Sequence, residues 1–397
     1  MTGSVASPAS GLRFTVVLGM LTAFGPPSID MYLPALPALA QSFGSSPSRV
    51  QLTLSAFFIG FGTGQLVYGP LSDRWGRRRP LLGGVGLYVV ASTLCALSPG
   101  VGLLIALRLL QGLGACAGPL IARAIVRDVY ERDRAARMLS LLMLVMGVAP
   151  LLAPLLGGRL LVTVGWRAIF WTLSGFGVLC LATAGLALPE TLGPARRSRG
   201  SFLGVLGRYV EIASHRRFLG YALASASAYA GMFAYFAGSP FVFIQLYGIP
   251  AQRYGFLFGL NVLGLMAGAA LNSRLVLRFG ADALLRVGVT TAAMAGIALV
   301  GVAATRLGGL PGLVVPIFCF MSSLSFIGAN AMAGALSAFP HVAGTASALA
   351  GTFQFALGAL SGAAVGALHD GTALPMGVVI AVAGLASFIL HRLLVGS

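Results

Sequence analysis

Long apolar runs alternate along the chain with short, arginine-rich gaps. Runs near 14–36, 50–70, 80–98, 101–124, 138–162 and 166–188 are followed by a second set near 218–242, 253–277, 284–305, 311–334, 344–368 and 374–394. An α-helix needs roughly 20 largely apolar residues to cross a bilayer. The pattern therefore predicts an all-α membrane protein with twelve transmembrane helices. Between the sets lies the longest polar connection, with Pro189, Pro194, Arg196, Arg197, Arg199, Arg208, Arg216 and Arg217. It divides the chain into an N-terminal six-helix bundle (1–188), a cytoplasmic linker (189–217) and a C-terminal six-helix bundle (218–397).

Composition agrees. The 397 residues are 57% hydrophobic and include 55 glycines, too apolar for a soluble domain. A net charge of +17 would fit nucleic-acid binding, but the cations sit in the gaps between apolar runs, which is a topology pattern. With the N-terminus in the cytoplasm, twenty of the 26 basic residues, all arginines, fall on the cytoplasmic face and five on the other, with Arg108 inside a span. Both termini are thus expected to be cytoplasmic. Ala38-Leu39-Ala40 resembles a signal-peptidase site, but Pro26, Pro27, Asp30, Pro34 and Pro37 before it make the segment a retained first span.

Enzyme chemistry has no footing. Cys95, Cys116, Cys180 and Cys319 each stand alone in an apolar run, which predicts no metal or disulfide framework. His215, His341, His369 and His391 are dispersed, and no phosphate-cradling loop is present. No cofactor is expected, and energy would come from an ion gradient or from the substrate's own gradient.

The densest polar stretch is Gly69-Pro70-Leu71-Ser72-Asp73-Arg74-Trp75-Gly76-Arg77-Arg78-Arg79-Pro80, read as a loop between the second and third spans. Asp73 is placed to accept hydrogen bonds. Arg74, Arg77 and Arg78 either serve topology alone or are placed to bind carboxylates or helix C-termini on adjoining spans, as a clasp that holds in one conformation and releases in another. A weak echo, Arg278-Phe279-Gly280, follows the eighth span without the acid, as a duplicated transporter would show. Glycines recur at four-residue spacing at Gly255 and Gly259, Gly264 and Gly268, and Gly358, Gly362 and Gly366. They allow close helix packing, with or without a gating role.

Asp30 is the one acid deep within an apolar run. A charged carboxylate there costs about 3 kcal/mol on insertion scales, so it must face a cavity, find a partner or take up a proton. A coupling or substrate-binding role stands beside a structural contact within the proline-rich helix end. Arg108 is the one arginine deep in a span. It is a fixed cation that either tunes a nearby carboxylate or bonds freed backbone carbonyls. Tyr229, Phe233, Tyr235 and Phe236, with Asn261, Phe353 and Gln354, offer aromatic area with a few polar handles, and Gln65 and Tyr68 are further candidates.

The spacing Gly69-x-x-x-Asp73-Arg74-x-Gly76-Arg77-Arg78 resembles the loop signature of the major facilitator superfamily. Leu104-x-x-x-Arg108-x-x-Gln111-Gly112 is similar to the proton-linked motif of its drug:proton antiporter branch. Gly147 to Gly158, with Pro150, Pro154, Gly157 and Gly158, resembles the antiporter motif of the fifth span, with Ala153 where a glycine normally precedes the proline. Ser28-Ile29-Asp30-Met31-Tyr32-Leu33-Pro34-Ala35-Leu36-Pro37 resembles the first-span signature of the Bcr/CflA (bicyclomycin/chloramphenicol resistance) subfamily. Further resemblance lies in Ala230-Gly231-Met232-Phe233 and in Phe339 to Ser347.

The resemblance implies two pseudo-symmetric six-helix bundles and proton-coupled efflux of drug-like small molecules across a bacterial-type inner membrane. It implies a monomer that needs substrate, protons and the lipid bilayer but no nucleic acid. Asp30 and Arg108 are the expected coupling residues. Gly69, Asp73, Arg74, Gly76, Arg77 and Arg78 are the expected switch. Asp30, Tyr32, Gln65, Tyr68, Gln111, Tyr229, Phe233, Phe236, Asn261, Phe353 and Gln354 are the expected substrate surface. Two alternatives remain open: an exporter or facilitator of a native metabolite such as an amino acid, and a non-transporting receptor or assembly protein.

Overall fold

A computed structural model of the chain describes residues 12–198 and 202–396; Arg199, counted above with the cytoplasmic face, lies outside them. Among the described residues there are helices and no strands, and twelve helices have the length and hydropathy of a membrane span. The first six are Leu12–Ser42, Pro47–Trp75, Arg78–Ala96, Val101–Val129, Arg132–Thr163 and Trp166–Ala187. The second six are Arg216–Leu246, Ala251–Phe279, Ala281–Thr305, Gly309–Ser337, Ala343–Ala367 and Leu374–Val395. They overrun the predicted segments because helices continue past the apolar run into polar turns at either end.

The first span is the exception to regularity. It breaks into Leu12–Thr22, Gly25–Asp30, a tight turn at Leu33–Ala35, and Leu36–Ser42. Pro26 and Pro27 open the second piece, where their missing N–H groups cost nothing. Pro34 has no N–H to offer the Asp30 carbonyl one turn back. The Tyr32 N–H bonds the Ile29 carbonyl at 3.2 Å, which leaves the Ser28 carbonyl without its usual helical partner.

Two expectations need correction. Gly69 to Trp75 is not loop but the end of the second span, which runs through Pro70. The turn proper is Gly76 and Arg77, since the third span starts at Arg78. Gly76 takes φ +90°, and a Cβ there would lie 2.2 Å from Glu190 Oε2. The linker, read as polar connection, contains the helix Phe202–Ser214. Its Val205, Arg208 and Tyr209 face a cavity while Leu206 and Val210 are exposed on another side.

The halves meet where the second span packs on the eleventh and the fifth on the eighth. Far from the arginine-rich turn, Ser48 Oγ donates to the Gly366 carbonyl at 2.5 Å and Gln51 Nε2 to the Ala237 carbonyl at 2.8 Å. Nearer mid-span, Thr352 Oγ1 donates to the Gly62 carbonyl at 3.1 Å. The glycine row of the eleventh span serves this seam: Cβ atoms at Gly362 and Gly366 would lie 3.0 Å from Ser55 Oγ and 3.2 Å from Ser48 Cα. On the arginine-rich side the halves part around a cavity of about 660 Å³. The conformation is closed on one face and open on the other.

Candidate substrate pathway

From the open face inward, the pathway begins as a vestibule between the second, fourth and eleventh spans and the linker helix. Gln65, Asp73, Arg74, Arg123, Arg127 and His341 are among its lining residues. Above it, rings from three spans close the way. Phe61 and Phe355 lie 4.6 Å apart between centroids, Phe58 and Phe233 4.3 Å, and Phe233 and Phe355 5.4 Å. Phe236 extends the cluster to Phe258 at 5.3 Å. Such contacts add about 1 kcal/mol each beyond area burial, yet can slide without leaving an unpaired polar group.

Beyond the plug lies Asp30, 3% exposed on the broken first span. Among the described residues its carboxylate makes no hydrogen bond or ion pair. The Leu33–Ala35 turn just after it packs on the seventh and eighth spans of the opposite half, which carry Tyr235 and Tyr254. These tyrosines belong to a polar cluster: Asn261 Nδ2 donates to Tyr235 Oη at 3.0 Å, and Ser239 Oγ and Tyr254 Oη share a hydrogen bond at 2.8 Å. The acid thus faces the seam between halves.

Arg108 lies elsewhere. It is fully buried within the N-terminal half, where Nη1 donates to the Ser28 carbonyl at 3.1 Å and to Gln111 Oε1 at 2.6 Å. Its guanidinium sits 4.4 Å from the ring centroids of both Tyr32 and Phe57. Each desolvated ring contact is worth about 2 kcal/mol, which offsets part of the burial cost. The carbonyl freed by the break in the first span is therefore held by Arg108. No ion pair joins Arg108 to Asp30; among the described residues the ion pairs are Arg77–Asp73 and Arg77–Asp128.

That pairing defines the clasp. Arg77 reaches Asp73 one turn back at 2.5 Å and Asp128 at the end of the fourth span at 2.7 Å. Arg78 Nη2 donates to the Gly185 carbonyl at the end of the sixth span at 2.6 Å. Glu190 accepts the N–H groups of Arg77 at 2.8 Å and Arg78 at 3.2 Å, capping the third span. The linker joins in through the Ser198 N–H, which donates to the Asp73 carbonyl at 2.9 Å. In this conformation the side-chain clasp closes within the N-terminal half, while Arg74 and Gly69 face the vestibule.

The remaining sequence candidates scatter. Gln65 lines the vestibule, and Phe233 and Phe236 form part of the plug. Tyr32 and Gln111 belong to the Arg108 cage, with Tyr32 Oη bonded to Thr53 at 2.6 Å. Tyr68 turns away from the seam towards Gly84 of the third span, and Tyr229 towards Gly328 of the tenth. Gln354 Nε2 donates to Ser225 Oγ at 3.1 Å, and Phe353 is half-buried beside it in sequence. In the fifth span the helix runs unbroken through Pro150 and Pro154. Gly157 and Gly158 let it approach the Met31 and Ala251 carbonyls, where a Cβ would lie 2.0 and 2.4 Å away; Gly147 has open space. Phe58, Phe61, Phe355, Tyr254, Asp128 and Glu190 escaped the sequence reading. The Phe57-Phe58-x-x-Phe61 spacing was the available signal for the first two.

The family model of the Major Facilitator Superfamily matches residues 18–363. The chain belongs to the major facilitator superfamily. It is 38% identical to an uncharacterised MFS-type transporter, YdgK, of Bacillus subtilis, over 93% of this chain and 92% of that one. It is 33% identical to a bicyclomycin resistance protein homologue of Haemophilus influenzae over 91% of each chain. The backbone superposes on the crystal structure of a D-xylose-proton symporter with a TM-score of 0.75, covering 96% of both chains at 16% identity, which establishes the shared fold. This member of the superfamily is a membrane transporter rather than an enzyme, and the subfamily resemblance carried by Ser28 to Pro37 agrees with its relatives.

Proposed function

We propose that this transporter exports drug-like small molecules in exchange for protons across a bacterial-type inner membrane, with both termini in the cytoplasm and the vestibule open to it. The observation that carries the reading is Asp30: a buried acid without a partner, on a broken helix, at the seam between halves. An acid so placed is stable as a proton carrier or as a ligand for hydrogen-bond donors of a substrate, and the two uses exclude each other. The resistance relative makes bicyclomycin, an uncharged polyol amide, the first compound to test.

In the cycle, substrate enters the vestibule, parts the Phe58–Phe61–Phe233–Phe355 plug and binds ionised Asp30. The arginine-rich face then closes and the Ser48–Gly366 and Gln51–Ala237 contacts open. A proton from outside neutralises Asp30, releases the substrate and returns the transporter inward, where loss of that proton to the cytoplasm restores the ionised acid for the next substrate. Arg108 keeps Asp30 in place by fixing the Ser28 carbonyl. Asp73, Arg77 and Arg78 hold the N-terminal helix ends as one body, so that closing is a rigid swing.

The test uses everted vesicles carrying wild type or Asp30→Asn. Bicyclomycin should release protons from wild-type vesicles, and Asp30→Asn should abolish both that release and drug accumulation. Undiminished proton release and accumulation in the variant would move the coupling site elsewhere.

A further inference from the structure

The vestibule wall carries cations that no acid answers. Arg77 is engaged by Asp73 and Asp128, and Asp73 is the one acid among the described lining residues. Arg74, Arg127 and Arg208 make no hydrogen bond or ion pair among the described residues. Arg123 uses only Nε, which donates to the Pro119 carbonyl at 3.0 Å. The eleventh span starts at Ala343 in the same wall with no side-chain cap, and a Cβ on Gly344 would lie 3.9 Å from Arg127 Nη1. Orientation in the membrane explains arginines at helix ends. Orientation alone does not require Arg123, six residues before the end of the fourth span, to open onto the cavity as it does.

A cleft lined by one sign of charge, with low-dielectric walls, concentrates counter-ions and repels like charges. Guanidinium groups bind carboxylates and similar compact anions in a bidentate fork. We propose that the vestibule is a charge filter: it concentrates amphiphiles bearing a carboxylate or comparable anion on Arg74, Arg123, Arg127 and Arg208, passes uncharged compounds, and turns away lipophilic cations. This rests on the reading of the cavity as the substrate entrance. It sits apart from the exchange at Asp30, which needs only a hydrogen-bond donor on the substrate. An anion leaving an inside-negative cell also gains from the membrane potential, so such cargo favours export.

Carboxyfluorescein and tetramethylrhodamine methyl ester share a xanthene core and differ in charge. Their binding is measured by fluorescence polarisation on the full chain in phosphatidylcholine nanodiscs, and radiolabelled bicyclomycin flux is measured in liposomes. The anion should bind about tenfold or more tighter than the cation at low salt, with the gap closing as salt screens the wall. Arg123→Gln with Arg127→Gln should reduce that ratio several-fold, while the Arg123→Lys and Arg127→Lys pair should keep most of it. Equal binding of the two dyes, or salt-independent binding, would overturn the filter, and the salt titration needs no variant to fold. Adding phosphatidylglycerol separates a second source of the same anion. If it erases the dye preference, the wall holds lipid headgroups and the filter is wrong. Bicyclomycin flux without charge preference overturns the filter alone. Anion preference without flux of any compound overturns the export reading and, with it, the vestibule as an entrance.

Discussion

Gly76 and Glu190 show how a single position in the arginine-rich turn is set by a residue far along the chain. Backbone at φ +90° and ψ 169° is essentially reserved to glycine. The Glu190 carboxylate fills the space a side chain would need while it accepts the Arg77 and Arg78 N–H groups. Gly76→Ala should cost about 2 kcal/mol, read as a lowered midpoint of thermal unfolding in detergent. Glu190→Gln should cost only about 0.5 kcal/mol, because the cap is exposed and screened by solvent. Burial alone would raise the Glu190 pKa, but the N–H groups of Leu192, Arg77 and Arg78 and the charge of Arg197 outweigh it and hold the pKa below the usual carboxylate range. The cap's ionic contribution is therefore fully present above the ordinary glutamate pKa and lost as pH falls through the lowered one. The gap between wild type and Glu190→Gln should be constant near neutrality and shrink in acid. A gap that widened on acidification would contradict the assignment. The sequence makes Gly76 legible as a motif residue but not its reason, since the capping partner lies 114 positions away. Arg108 is similar: its depth in a span is plain from the pattern, but only the fold reveals that it answers the Ser28 carbonyl and not Asp30.

At the scale of elements, the twelve spans and their division follow from hydropathy because lipid demands about the same apolar length from each. What hydropathy does not see is where a helix breaks, or where a polar stretch is itself helical. The first span keeps its apolar content through three interruptions, and Phe202–Ser214 hides among arginines. The seam between the second and eleventh spans is also silent in sequence, because glycines at four-residue spacing serve packing within a half and between halves alike. The geometry there makes a specific expectation. With Cys319→Ser to remove the exposed thiol, Ser48→Cys and Gly366→Cys should form a disulfide, since a Cβ on Gly366 would lie 3.2 Å from Ser48 Cα. The cross-link should abolish flux and reduction should restore it. Full flux with the bridge intact would mean that this seam does not open.

For the whole molecule, one face sealed and the other open is half of an alternating cycle. The arginine-rich turn, the linker and the vestibule share one face, which the proposed topology puts in the cytoplasm. Ser347 on the vestibule wall offers a direct reading. In a Cys319→Ser background, Ser347→Cys should react with a membrane-impermeant maleimide in everted vesicles and stay unlabelled in intact cells. Labelling from outside the cell would invert the topology and, with it, the direction assigned to export. The same cysteine reports the cycle. Bicyclomycin at saturating concentration should slow its labelling several-fold, because substrate bound at Asp30 favours closure of the vestibule face. Asp30→Asn, which mimics the protonated acid, should hold the vestibule open and leave labelling fast whether or not the drug is present. If the drug slows labelling equally in both proteins, substrate acts on the vestibule without reference to Asp30, and coupling must run through another part of the seam.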